Sequence, residues 1–147
     1  MELKEPKTQE EFEGYYDLRW RILRYPWNQP RGSEKDSLED MSIHLILTEE
    51  DKILGAGRVH FNSNDEAQVR YMAVEENQQG KGIGGKGIGG KILSGLEERA
   101  KQRGTNYIVL NSRDTAVPFY IKKGYRIIGE APTMFGTIKH SKMRKDL

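Results

Sequence analysis

The sequence predicts one α/β domain, residues 1–147, built on a mixed sheet, and three observations carry that reading. Three strand-like runs, 43–48, 53–61 and 67–74, follow one another across tight polar turns. Two helical patterns, 92–102 and 116–123, then separate further strand-like runs. Between the third run and the first of those helices lies a glycine-rich stretch, residues 78–91, with Gly80 followed by glycines at 82, 84, 85, 87, 89 and 90.

Composition bounds the rest. A chain of 147 residues suits a single domain with a real core, and 31% charged residues imply a well-solvated surface. No run has the apolar length needed to span a bilayer, and Met1-Glu2-Leu3-Lys4-Glu5 lacks the apolar core of a signal peptide. A cytoplasmic protein without a membrane partner is expected. The absence of cysteine excludes disulfides and thiolate metal sites, and His44, His60 and His140 lack ligand spacing, so no metal is expected. A net charge of +2 is too small to argue for nucleic acid, and the basic tail (Lys139, Lys142, Arg144, Lys145) reads as a solvated end.

In chain order, residues 2–5 suit a short edge strand before Pro6. Thr8-Gln9-Glu10-Glu11 reads as a capping box, opening a helix whose broad apolar face carries Phe12, Tyr15, Tyr16, Leu18, Ile22 and Leu23 and which Pro26 ends. Residues 28–40 form a polar loop with one helical turn at 37–41; it is either an acceptor-site wall or an ordinary surface connection. The three strand runs follow. Gly104 is the expected C′ residue of the helix after the glycine stretch. Residues 107–110 make a short buried strand ending at Asn111, Gly124 stops the last helix, and 125–128 and 137–143 are strands suited to pair.

Strand, glycine-rich turn and helix present free backbone N–H groups to a phosphate. Two familiar phosphate loops fail on context. Gly80 and Gly85-Lys86 begin a P-loop, but Gly87 stands where a Ser or Thr hydroxyl should bind magnesium. Gly82, Gly84 and Gly87 match a dinucleotide fingerprint, but the loop follows the third strand of a meander and no acid appears at the required distance.

The arrangement that fits is Gln79-x-x-Gly82-x-Gly84 after an antiparallel meander, where the chain resembles the GNAT superfamily of acyl-CoA-dependent N-acetyltransferases. The resemblance spans nearly the whole chain: Met72-Ala73-Val74, Gln79 to Gly84, the strand ending in Asn111, Ala116-Val117-Pro118-Phe119-Tyr120 and Lys123-Gly124-Tyr125. Leu110-Asn111, Pro118-Phe119-Tyr120 and His140…Met143 also resemble the ElaA-like branch. It implies a mixed sheet of six or seven strands, splayed between the fourth and fifth where acyl-CoA lies, flanked by about four helices. It implies acetyl-CoA as co-substrate and direct attack by a primary amine of a small molecule or peptide; dimers are common in the family.

The resemblance also implies roles. Gln79, Gly80, Lys81, Gly82, Gly84, Gly85, Lys86, Gly87 and Gly89 would hold the pyrophosphate, and Met72, Ala73 and Val74 the thioester oxygen and pantetheine arm. Asn111 matches a pantetheine contact, with capping of the turn before Ser112 as its plain alternative. Tyr120 matches the tyrosine that protonates the departing thiolate; its plain alternative is packing beside Phe119. Arg58, Arg70 and His140 are candidates for the acceptor pocket, the two arginines favouring an acceptor with a carboxylate or phosphate, or else pairing with acids such as Glu66. No general base stands out: His60 is on a neighbouring strand, and no carboxylate occupies the usual place. A CoA-binding module with weak or no catalysis is the alternative function.

Lys81–Gly85 and Lys86–Gly90 are a perfect tandem repeat. Removing one copy restores an uninterrupted family motif, so the repeat reads as five added residues. Ile88 precedes Ile92 by four residues, about 40° on the wheel, whereas Ile83 lies near the opposite face. Helical glycines cost about 1 kcal/mol each relative to alanine, and a five-residue loop extension about 1 kcal/mol or less. The expectation is a loop insertion that weakens acetyl-CoA binding, with the second copy capping the helix.

Overall fold

The first helix shows how local chemistry fixes an element here. The Thr8 hydroxyl accepts from the Glu11 N–H at 3.1 Å, and the Glu11 carboxylate accepts from the Thr8 N–H at 3.1 Å, closing both halves of the capping box. The helix, α1 (Gln9–Leu23), ends one residue before a 3₁₀ turn that contains Pro26. The computed structural model describes residues 1–79 and 87–147. The other elements are β1 (Glu2–Lys4), β2 (Ile43–Glu49), β3 (Lys52–Phe61), β4 (Glu66–Val74), α2 (Ile88–Gln102), β5 (Tyr107–Arg113), α3 (Val117–Lys122), β6 (Arg126–Met134) and β7 (Ile138–Asp146). Among the described residues no helix is long and apolar enough to cross a membrane.

The strands form one seven-stranded sheet in the order β1-β2-β3-β4-β5-β7-β6. Every neighbouring pair is antiparallel except β4 and β5, which run parallel. Three α-helices occur among the described residues; the helical turn expected at 37–41 is the 3₁₀ turn Glu39–Met41. The C-terminal strands are longer than their sequence signals. β7 lies between β5 and β6, and β5 continues to Arg113 because each residue from Tyr107 onward has a partner on β7. β6 continues past Gly129 and Pro132 because it is an edge strand. Pro132 falls in a register irregularity between Ala131 and Met134, where no ladder N–H is required.

Alternation along β2 divides the core. Leu45 and Leu47 face α2 and pack with Leu54, Val59, Ile92 and Leu96, whereas Ile46 faces α1 and packs with Tyr15, Leu18, Ala56 and Ala73. The two long helices therefore cover opposite faces of the sheet. Ile88 and Ile92 are both buried and both meet Gly55, as helical phase requires. A Cβ at Gly57 would lie 2.6 Å from Ile92 Cγ2 and 2.8 Å from Met72 Sδ, so glycine lets α2 close on the sheet there. Gly104, at φ +83°, ends α2 as expected.

Candidate active site

The site begins with a bulge in β4. Ala56 pairs with Ala73 and Arg58 with Arg70, so Gly57 alone faces both Tyr71 and Met72. Tyr71 takes up the extra residue with φ +59°, a conformation costly for a large side chain. The consequence is two successive side chains on one face. Arg70 reaches Asp36 at 2.8 Å, and the Tyr71 ring lies under the Arg19 guanidinium at 3.8 Å, both on the α1 side. Val69 and Met72 pack on the α2 side.

Beyond the bulge the sheet opens. β4 pairs with β5 only from Glu66 to Gln68, opposite Tyr107 to Val109, after which the two strands part. A cleft of about 440 Å³ occupies the gap. Gln68 to Met72 form one wall and Leu110 to Arg113 the other. Ala116 and Tyr120 lie towards α2, Leu23 and Arg24 towards α1, and Pro132, Met134 and His140 complete the lining. Tyr120 belongs to the core on the α2 side and Leu23 packs with the core on the α1 side, so the cleft connects the two faces of the sheet.

Tyr120 is buried, with its ring edge-on to Phe119 and Tyr125. Burial pushes its phenol up to about 12, with Arg113 pulling the other way. Its side chain takes no hydrogen bond among the described residues, and the residue lines the cleft. Asn111 is exposed on the β5 wall, opposite Lys142 of β7. His140 Nδ1 lies 2.9 Å from the Ile138 carbonyl, to which it must donate, and this leaves Nε2 as the basic nitrogen.

Of the candidate acceptor residues, the structure brings Arg70 and His140 to the cleft but not Arg58. Arg58 is fully buried, paired with Asp36 at 2.6 Å and Glu39 at 2.7 Å, and its other nitrogen donates to His60 Nδ1 at 3.0 Å. The acids that hold these arginines are thus Asp36 and Glu39, not Glu66, which accepts from Asn62 instead. Burial opposes ionisation of both acids, but hydrogen bonds from Arg58 to Asp36 and from Arg19 to Glu39 outweigh it, and both carboxyls lie below their ordinary range. The loop 28–40 does not form the cleft wall; it supplies these acids and the Ser33 carbonyl that holds Arg24. His60 is buried, and burial and Arg58 lower its pKa, so it serves the ion-pair cluster.

Ala73 is buried towards α1, while Met72 and Val74 pack towards α2. Gln79 lies beside the end of β4, its Nε2 donating to the Val74 carbonyl at 2.9 Å. Gly87 is extended and precedes α2, and Gly89 sits beside Phe119 and Val74. Gly80, Lys81, Gly82, Gly84, Gly85 and Lys86, with the first copy of the repeat, lie outside the described residues. Arg24, Arg113 and Tyr71 are cleft residues that sequence reasoning missed. Arg24 immediately follows the last helical residue before Pro26, a position from which a side chain at a helix end can reach the sheet, but only tertiary packing shows which cleft it reaches.

Residues 28–147 match the family model described as an acetyltransferase (GNAT) domain. The chain is 30% identical over 140 residues to the uncharacterized N-acetyltransferase YjcF of Bacillus subtilis strain 168, covering 95% of this chain and 96% of that protein. Among solved structures it is similar to an aminoglycoside 6'-N-acetyltransferase complexed with coenzyme A, with a TM-score of 0.81 at 18% identity over 99% of this chain and 97% of that one. Escherichia coli ElaA superposes with a TM-score of 0.79 at 14% identity over 98% of each chain. A sheet split between its fourth and fifth strands, with a bulged β4 beside the split, is an acyl-transfer fold, and the chain belongs to the GNAT family of acyl-CoA-dependent N-acetyltransferases.

Proposed function

We propose that this chain moves an acetyl group from acetyl-CoA to a primary amine by direct attack in a ternary complex. The observation that carries the reading is the cleft open to both faces, with Tyr120 towards α2 and a cationic wall towards α1. Past Gln68 the β4 backbone has no β5 partner, so its free groups suit the strand-like amides of a pantetheine arm and a donor for the thioester oxygen. The reaction forms a carbon–nitrogen bond, breaks the carbon–sulfur bond and moves one proton from the amine and one to the thiolate.

Tyr120 supplies the second proton or a hydrogen bond in its place. A phenol near 12 stays protonated through the neutral range. The dryness that raises it also raises the leaving thiolate, so the two remain matched more closely than their solution values suggest. Asn111 orients the arm from the β5 wall. For the first proton, His140 Nε2 is the one imidazole nitrogen placed to accept it among the described cleft side chains. The reading as a CoA-binding module with little catalysis draws on the absence of carboxylates from that lining, which His140 answers. The ElaA-like branch is supported by Leu110-Asn111, Pro118-Phe119-Tyr120 and His140…Met143. A thiol-release assay with acetyl-CoA and an amine panel tests the proposal. Tyr120→Phe should lower turnover about 10²-fold with acetyl-CoA affinity retained. Unchanged turnover with chemistry rate-limiting makes Tyr120 a packing residue.

The repeat is read as a five-residue insertion ahead of α2, supported by the extended Gly87 and the start of α2 at Ile88. Deleting residues 86–90 should tighten acetyl-CoA binding in calorimetry; equal or weaker binding makes the insertion harmless or functional.

A further inference from the structure

The cleft carries more positive charge than acetyl transfer requires. Arg24 is 8% exposed, and carbonyls of Ser33 and Leu23 hold its Nε and Nη1 at 3.0 and 3.1 Å. It has no carboxylate partner among the described residues. Burial lowers its pKa, with Arg70 and Arg19 lowering it further and Tyr71 opposing. Four guanidiniums, of Arg19, Arg24, Arg58 and Arg70, surround the Tyr71 ring at 3.8 to 5.4 Å. Two carboxylates, Asp36 and Glu39, pair with three of them. The surplus faces the cleft through Arg24 and Arg70, and no Asp or Glu lines the cleft among the described residues. A buried guanidinium without a counter-ion is costly, and an entering anion removes that cost.

Location assigns the anion to the acceptor. Arg24 comes from the end of α1, on the face opposite α2. Arg24 also lies 5.5 Å from the Phe135 ring, which stacks on Trp27, so the β6–β7 tip narrows this end. The geometry points to an oxyanion subsite formed by Arg24 and Arg70 that selects small amines carrying a carboxylate or phosphate and disfavours polycationic acceptors. The inference rests on the acetyl-transfer reading for the amine, but the subsite can be tested without turnover.

A matched series, H₂N–CH₂–CH₂–X, isolates the charge: β-alanine, O-phosphoethanolamine, ethanolamine and ethylenediamine, compared per neutral amine by thiol release with the full chain. One or both anionic amines should exceed ethanolamine in kcat/KM by about tenfold to a hundredfold, the range of a charge-assisted hydrogen bond, with ethylenediamine lowest. Which anion leads separates carboxylate from phosphate. Arg24→Gln should narrow the anionic-to-neutral ratio; Arg70→Gln, at a half-exposed position that leaves Asp36 paired to Arg58, should narrow it with little risk to folding. Independently, calorimetry on CoA-saturated protein should find N-acetyl-β-alanine or N-acetyl-O-phosphoethanolamine bound at least about tenfold more tightly than N-acetylethanolamine. Ethanolamine or ethylenediamine used as well as both anions, a preference surviving both substitutions, or no calorimetric difference overturns the subsite. If no amine releases thiol, the acetyl-transfer reading fails while the calorimetric comparison still decides the subsite.

Discussion

Arg58 and Arg24 are both buried beside the Tyr71 ring, yet they are opposite in character. Arg58 gives its four terminal hydrogen bonds to Asp36, Glu39 and His60, leaving only Nε without a partner. Arg24 is held by main-chain carbonyls and the Tyr71 ring, and no carboxylate among the described residues compensates its charge at the cleft. The first arrangement locks the loop 28–40 to β3 and β4. The second holds a charge in place for something that arrives later. Residue type does not distinguish a structural arginine from a binding one; the carboxylates within reach do.

The comparison is most severely tested at Glu39. Its carboxylate takes two bonds from Arg19, one from Arg58 and one from the Asp36 N–H. Glu39→Gln leaves two buried guanidiniums short of charge and should cost about 3–5 kcal/mol in urea unfolding. A loss under 1 kcal/mol would place Arg58 in the same class as Arg24. Acid should act more gradually. Buried His44 and His60 have lowered pKa values, so their contribution is complete above roughly 6.5, the unfolded value, and falls as pH drops below it. Asp36 and Glu39, also lowered, contribute fully above roughly 4 and lose that stability below it. Urea midpoints measured from pH 7 to 3 should therefore fall in two stages, with the lower stage flattened in Glu39→Gln. The smallest effect is expected at Arg70. Its side chain is 41% exposed and its one ion pair spans a shared acid, so Arg70→Gln should change stability by about 1 kcal/mol or less.

Much of the fold was legible because it is written locally. The capping box at Thr8 and Glu11, the meander, Gly104 and the phase of Ile88 with Ile92 each need only neighbours in sequence. The order β5-β7-β6 was not legible, since nothing in residues 126–146 says that the last strand inserts beside β5. At the site, Tyr120, Asn111, Arg70 and His140, distant in sequence, line one cleft. Arg58 was misplaced because strand parity fixes a face, not a partner: its acids come from the loop 28–40, whose path no periodicity encodes. Arg24 was overlooked for the converse reason, its importance lying in a missing partner.

The parting of β4 from β5 has a mechanical side. The sheet is held across that line by three register positions, Glu66 to Gln68, and beyond them two strand margins face a gap. That makes the line a seam between an N-terminal part containing β1 to β4 and a C-terminal part containing β5 to β7. Amide hydrogens at the open margins should exchange faster than those of the paired interior of β3. A molecule laid along the gap would act as a suture, pairing with both margins and raising the melting temperature with its concentration.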